Sequence, residues 1–187
     1  SRGLVGSEMC IRDRFNLKSK KACLVGFLKG KDKKKLKKKD LYVIGKNIGK
    51  MHKALRKIKL YRKNSFSPLK IKNLLDGINE NKINKLSKNL VSEMQNTFME
   101  IKQGWPKTLP KNIIHGDLFI DNIFFHRGKF LGFIDFYFSS NDFEAYELAT
   151  CINALCFNKK KKTFSYDKGK TLQLIKGYET IRKLQKK

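Results

Sequence analysis

No run of about 20 consecutive apolar residues occurs anywhere in the chain, so no membrane-spanning helix is expected. Arginine is scarce: only 7 of the 43 basic residues are Arg, against 36 Lys. Arg is the better reader of phosphate and base edges. The formal charge of +27 is therefore read as the coding bias of an AT-rich genome, which favours Lys, Asn and Ile over Ala, and no specific nucleic-acid partner is expected. Incidental adhesion to polyanions should vanish with salt. The four cysteines, Cys10, Cys23, Cys151 and Cys156, form no Cys-x-x-Cys pair, and the three histidines do not cluster with them. That excludes the usual zinc and redox motifs and gives no disulfide framework. Cys151 and Cys156 lie in an apolar stretch and are expected in the core.

With 187 residues, 40% hydrophobic content and 14 Phe, the chain can bury one real core. Residues 1–14 contain no Lys, unlike the rest, and no apolar signal-peptide segment. They are read as a foreign stretch, similar to adapter-derived ends of shotgun reading frames, and the protein as cytoplasmic. Ala22 to Leu28 has the length and apolarity of a strand. After the charged stretch Lys31 to Lys39, Asp40 is a plausible N-cap. Leu41, Ile44, Ile48, Met51, His52, Leu55 and Ile58 then recur at helical spacing, with Gly45 and Gly49 beside that face permitting close packing. A short helix is expected over Leu69 to Ile78, a long one over Ile83 to Lys102, a helix over Phe143 to Phe157, and a last one over Asp167 to Leu184. No internal repeat is found.

Between the helices the period changes. Ile113 to Phe138 reads IIHGDLFIDNIFFHRGKFLGFIDFYF. Ile123 to Phe125 and Phe130 to Ile134 flank the turn His126-Arg127-Gly128-Lys129, a hairpin pattern. If it forms, Asp117, Asn122 and Asp135 converge at its mouth. Phosphoryl transfer needs such groups: a carboxylate to accept or orient the proton of an attacking hydroxyl, and hard oxygen donors for magnesium. Asp117 is thus the candidate catalytic base, and Asn122 and Asp135 the candidate metal ligands.

His115-Gly116-Asp117 with Asn122, followed by Ile134-Asp135, resembles the catalytic loop and metal-binding aspartate of the aminoglycoside phosphotransferase-like kinases. Gly116 in place of Arg, and Asp135-Phe136-Tyr137 without a glycine, set it apart from protein kinases. Further matches run through Asp117-Leu118-Phe119, Asn122-Ile123-Phe124-Phe125, Ile134 to Phe138, Asn141-Asp142, Ala145 to Ala149, Cys151 to Ala154 and Cys156-Phe157. Together they resemble the family's homoserine kinase branch, over roughly Ala22 to the C-terminus. The resemblance implies an α+β, protein-kinase-like fold: a mostly helical large lobe with a short hinge strand and a catalytic β-hairpin. It implies ATP and Mg2+ as cofactors and L-homoserine as the acceptor in threonine biosynthesis. It also implies that Gly26, Phe27 and Leu28 face adenine, and that His115 and Glu147 support the catalytic loop. Glu147 stands where the family usually has aspartate.

The resemblance also places a small ATP-clamping lobe before the hinge, where this sequence has only residues 1–21, and further helix after Lys187. Residues 15–187 are therefore expected to be a partial kinase-like domain truncated at both ends, with almost no turnover alone. Asp142 is read as an N-cap for the following helix, with a substrate contact as the minority reading. The rival readings are a sibling kinase for choline, an aminoglycoside or another hydroxylated amine, and, remotely, a nucleic-acid binder using the lysine surface.

Overall fold

A computed structural model describes residues 14–23, 26–160 and 163–184; the reading of the first 13 residues lies outside it. Strands β1 (Arg14–Leu17) and β2 (Lys20–Cys23) pair antiparallel. Lys18 and Ser19 between them both have positive φ, the backbone of a tight two-residue hairpin turn. The strand expected over Ala22 to Leu28 is realised only at Ala22 and Cys23. Residues 24 and 25 lie outside the described residues, and Gly26 to Gly30 is irregular. Phe27 there is 86% exposed, and the Gly30 N–H turns back to the Leu28 carbonyl (2.7 Å). The next residue, Lys31, pairs in both directions with the backbone of Phe125 (2.8 and 3.0 Å), so this segment docks on the central hairpin.

Helix α1 spans Lys38–Leu55. Asp40 is not its N-cap but lies in its first turn. Its carboxylate accepts from the Lys37 N–H (2.9 Å) and pairs with Lys33 (2.7 Å), which satisfies one orphan donor from inside the helix. A helical arm follows: α2 (Pro68–Asp76), α3 (Glu80–Ile83) and α4 (Leu90–Gly104). The single helix expected over Ile83 to Lys102 is broken. Asn84 Oδ1 takes the Val91 N–H (3.2 Å) and Asn89 adopts a left-handed conformation. Asn side chains compete with helical hydrogen bonds in this way.

Strand β3 (Lys111–Ile114) pairs antiparallel with β6 (Ser140–Phe143), and β4 (Ile123–His126) with β5 (Lys129–Phe133). The β4–β5 turn has Arg127 at φ 47° and Gly128 at φ 79°, which matches the right-handed twist of the flanking strands. Then come α5 (Glu144–Leu155), β7 (Phe157–Lys160) paired with β8 (Thr163–Tyr166), and α6 (Lys168–Glu179). Neither β6 nor the β7–β8 hairpin is foreseen by the sequence pattern.

Leu41, Ile44 and Ile48 of α1, Leu118, Ile123, Leu148, Cys151 and Leu174 form the core, none more than 4% exposed. Each such aliphatic side chain contributes roughly 1.5–3 kcal/mol on burial. α1 and α6 approach with no side chain between them. A Cβ on Gly45 would lie 1.9 Å from the Leu174 carbonyl oxygen, and one on Gly177 2.0 Å from that of Tyr42. Small residues on both helices thus let the backbones touch, and the core beside them closes beneath the β3–β6 and β4–β5 pairs.

Candidate active site

The loop after β3 is held from below by one carboxylate. Glu147, in the first turn of α5 and fully buried, accepts from the N–H of His115 (2.5 Å) and of Gly116 (3.1 Å). Gly116 has φ 80°, and a Cβ there would meet the Phe138 carbonyl oxygen at 2.8 Å, so only glycine fits. The buried His115 ring lies against the Ile134 carbonyl through Nε2 (2.8 Å) and against the Asp117 N–H through Nδ1 (3.3 Å). A carbonyl needs a donor and an N–H needs an acceptor, so these partners fit the tautomer with its proton on Nε2.

Asp117 and Asn122 are in direct contact. The Asn122 Nδ2 group donates to the Asp117 carbonyl (2.8 Å) and to its carboxylate (3.0 Å). Two acceptors at one end fix which end is NH2 and leave the amide oxygen on the opposite side. Asn122 ends a single 3-10 turn, Ile120–Asn122, that leads into β4. Its backbone carbonyl accepts from the Ile134 N–H (3.1 Å). Ile134 is therefore held on one side by Asn122 and on the other by His115, and Asp135 is the next residue. Asp135 has φ 58° and ψ 67°, and its side chain accepts from the Tyr137 N–H (3.3 Å). A left-handed backbone on a non-glycine residue is uncommon and is tolerated best by Asp and Asn.

Of Gly26, Phe27 and Leu28, Leu28 reaches the same hairpin. The Leu28 side chain lies 3.2 Å from where a Cβ on Gly132 of β5 would stand, while Phe27 projects outward. Asp142 is buried in β6. One carboxylate oxygen takes its neighbour Phe143 N–H (2.7 Å) and the other takes Asn64 Nδ2 (2.6 Å). It lies ahead of α5, whose capping residue is Phe143, so the N-cap reading of Asp142 does not hold.

A polar web beneath the loop joins Glu147 to residues that the sequence did not single out as part of the site. His52 of α1, fully buried, faces Glu147 Oε2 through Nε2 (3.6 Å) and Tyr178 Oη through Nδ1 (3.0 Å). Asn112 of β3 donates to the His52 carbonyl (2.7 Å) and to Glu144 (2.9 Å). Glu144 also binds Arg182 and receives Tyr178 Oη (3.4 Å). Burial, and then the Glu144 carboxylate, push the Tyr178 phenol up to about 12. Apart from Glu147, the early signal was His52 on the apolar face of an amphipathic helix. Burial also raises the Cys151 thiol well above its ordinary range, which leaves it inert as a nucleophile.

A depression of about 360 Å³, lined by Asp40, Asn47, Phe125, Lys129 and Phe130 among others, lies at the turn end of the β4–β5 hairpin, away from Asn122 and Asp135. Among the described residues no helix is long and apolar enough to cross a membrane, and no group of three or more His, Cys, Asp or Glu is placed to hold a metal. What the loop does present is the Asn122 carboxamide bonded to the Asp117 carboxylate, with Asp135 following directly on Ile134, whose N–H the Asn122 carbonyl holds. These are hard donors that suit magnesium, which completes its shell with water and phosphate oxygens.

A homoserine kinase of Chelativorans sp. (strain BNC1) is 41% identical over 125 residues, covering 67% of this chain and 38% of that protein. One of Gluconobacter oxydans (strain 621H) is 40% identical over 125 residues, covering 66% and 38%. The chain thus spans about two fifths of the length of these curated relatives. Among solved structures, the amicoumacin kinase hAmiN, in complex with AMP-PNP, Ca2+ and Ami, superposes with a TM-score of 0.60 at 14% identity, over 86% of this chain and 49% of that one. The mixed α+β architecture is accordingly the protein-kinase-like phosphotransferase fold. Residues 9–179 match the phosphotransferase enzyme family (APH), and the chain belongs to that family.

Proposed function

We propose that the protein to which this chain belongs transfers the γ-phosphoryl group of ATP to the hydroxyl of L-homoserine, giving O-phosphohomoserine and ADP. Asp117 orients the acceptor hydroxyl and takes its proton as the oxygen attacks. Asn122, by donating to the Asp117 carboxylate, fixes that carboxylate's direction. The Asn122 amide oxygen and Asp135 would hold Mg2+. When bound, that ion offsets the charge developing on the phosphate oxygens. Gly26 to Leu28 would border the adenine. His115 and Glu147 position the loop: the first ties Asp117 to the segment bearing Asp135, and the second fixes the backbone beneath both.

The observation that carries this reading is the bidentate hold of Asn122 on Asp117 at the mouth of a hairpin whose other strand leads to Asp135. The acceptor is read from the homoserine kinases at about 40% identity. ADP release by the full-length gene product, measured with L-homoserine, choline and an aminoglycoside, tests it. Homoserine should be preferred, and Asp117→Asn should lower kcat by about 10²- to 10⁴-fold with the fold intact. Wild-type turnover in that variant removes Asp117 from its role. Preference for choline or the aminoglycoside redirects the substrate to a sibling reaction.

A further inference from the structure

An acceptor that is an amino acid brings a carboxylate, and none of the groups assigned above can bind one: Asp117 and Asp135 are themselves anionic. We propose that Arg62 recognises the acceptor's carboxylate, with Asn64 and Asp142 as positioning residues for it. The proposal rests on the reading of the acceptor as homoserine and adds the residue that selects it.

Three observations converge. First, Arg62 is fastened to the wall of the site. Its N–H donates to Asn141 Oδ1 (2.7 Å), its carbonyl accepts from the Asn141 N–H (2.8 Å), and its guanidinium Nη1 donates to the Tyr137 carbonyl (2.5 Å). The guanidinium also lies 5.6 Å from the Tyr137 ring centre. Tyr137 is two residues beyond Asp135 and takes part in the turn that Asp135 caps. The same turn packs on the loop carrying Asp117: Phe136 packs against the His115 ring, tilted, with centres 4.4 Å apart, and the Phe138 carbonyl faces Gly116.

Second, the guanidinium is underused. It carries five N–H donors in a fixed fork. Among the described residues Arg62 makes no ion pair, whereas Arg56 and Arg182 are both turned onto Glu144. Arg127 sits in the hairpin turn at the far end. Arg62 is thus an exposed fork whose one used donor is spent on aiming it. Bidentate binding of a carboxylate is what such a fork does best.

Third, the segment is anchored by buried groups. Asn64, 6% exposed, gives its amide to the buried Asp142 (2.6 Å) and its oxygen to the Phe66 N–H (2.8 Å). Asp142 is buried and would repel a second carboxylate, so it acts on Arg62 through Asn64 rather than by touching substrate. The ring of Phe66 packs on Phe138. A surface arginine in a solvated loop would need none of this.

The test uses the full-length gene product and two acceptors: L-homoserine and 3-aminopropan-1-ol, the same molecule with hydrogen in place of the carboxylate. Arg62→Met should raise KM for L-homoserine by about 10- to 100-fold, the range expected for losing hydrogen bonds to a charged group. kcat should stay within a few-fold, and kcat/KM for 3-aminopropan-1-ol should be unchanged. Arg62→Lys, which keeps the charge but loses the fork, should fall between the two. Asn64→Ala should move KM in the same direction by less, again only for the acceptor bearing the carboxylate. An equal loss on both acceptors, or no change in KM for either, overturns the proposal. If Arg62→Met does not fold, a wild-type KM for L-homoserine in Arg62→Lys overturns it instead. Absence of homoserine turnover in the wild-type enzyme is a separate result. It removes the acceptor assignment, and this proposal falls with it.

Discussion

The helix pair α1 and α6 and the helical arm α2 to α4 come from similar amphipathic patterns but differ in how they are held. α1 buries eight residues, including Gly45, Gly49 and His52. The 15-residue α4 buries only Val91 and Phe98, and α2 and α3 bury none. Leu69, Leu74, Leu86 and Met99 of the arm are at least half exposed. Periodicity therefore predicts that a helix forms, not how tightly it is held. What separates the two regions is backbone contact through glycine and a polar web that charges and rings complete from four elements.

That contrast can be broken by substitution. Gly45→Val places side-chain atoms where the Leu174 carbonyl stands. It should cost at least the roughly 4–5 kcal/mol that marks exceptional single changes; a loss below about 1 kcal/mol in chemical unfolding would show that the seam can open. Glu147→Ala leaves the buried His115 N–H and the partly buried Gly116 N–H without an acceptor and should cost about 3 kcal/mol, with Glu147→Asp recovering part of it if the loop can settle toward α5. A Glu147→Ala protein of wild-type stability would detach the loop from the web.

Tyr178 gives a pH signature. An unfolded phenol ionises near 10, whereas in the fold it is pushed up to about 12. The folded state holds that proton more firmly, so the contribution is complete below pH 10 and is lost as the pH climbs toward 12. Unfolding midpoints measured across that window should fall more steeply for the wild type than for Tyr178→Phe, and parallel curves would refute the coupling. The smallest effect is expected in the arm. Leu86→Ser, at a side chain 78% exposed, should shift stability by no more than about 0.5 kcal/mol. A larger loss would mean the arm is packed more closely than its exposure indicates.

Much of the architecture could be read in advance where local chemistry and global fold agree. The buried face of α1 follows its apolar spacing. The β4–β5 hairpin follows from alternating apolar strands around Arg127-Gly128. Asp117, Asn122 and Asp135 stand out by type and spacing. What escaped depends on partners distant in sequence. β6 reads SNDF, with no alternation, and exists because β3 supplies its hydrogen bonds. β7 and β8 are rich in polar residues and look like a loop. The long helix failed at Asn84 because one amide outcompeted the backbone. Within the site, the residues that join Asp117 to Asp135 are His115 and the backbone of Ile134, and no spacing rule marks a main-chain group. The links from Glu147 to His52 and from His52 to Tyr178 span up to 126 positions, beyond the reach of any local pattern.

The close helix approach at Gly45 and Gly177 also bears on how this gene can drift. Every glycine codon begins with two guanines, so a coding sequence sliding toward adenine and thymine erodes glycine steadily. Lysine can spread over the solvated faces without penalty, but at these two positions even one added carbon collides with a carbonyl 1.9–2.0 Å away. Mutational pressure and steric selection there pull in opposite directions, and the seam should keep its glycines long after the surrounding surface has been rewritten.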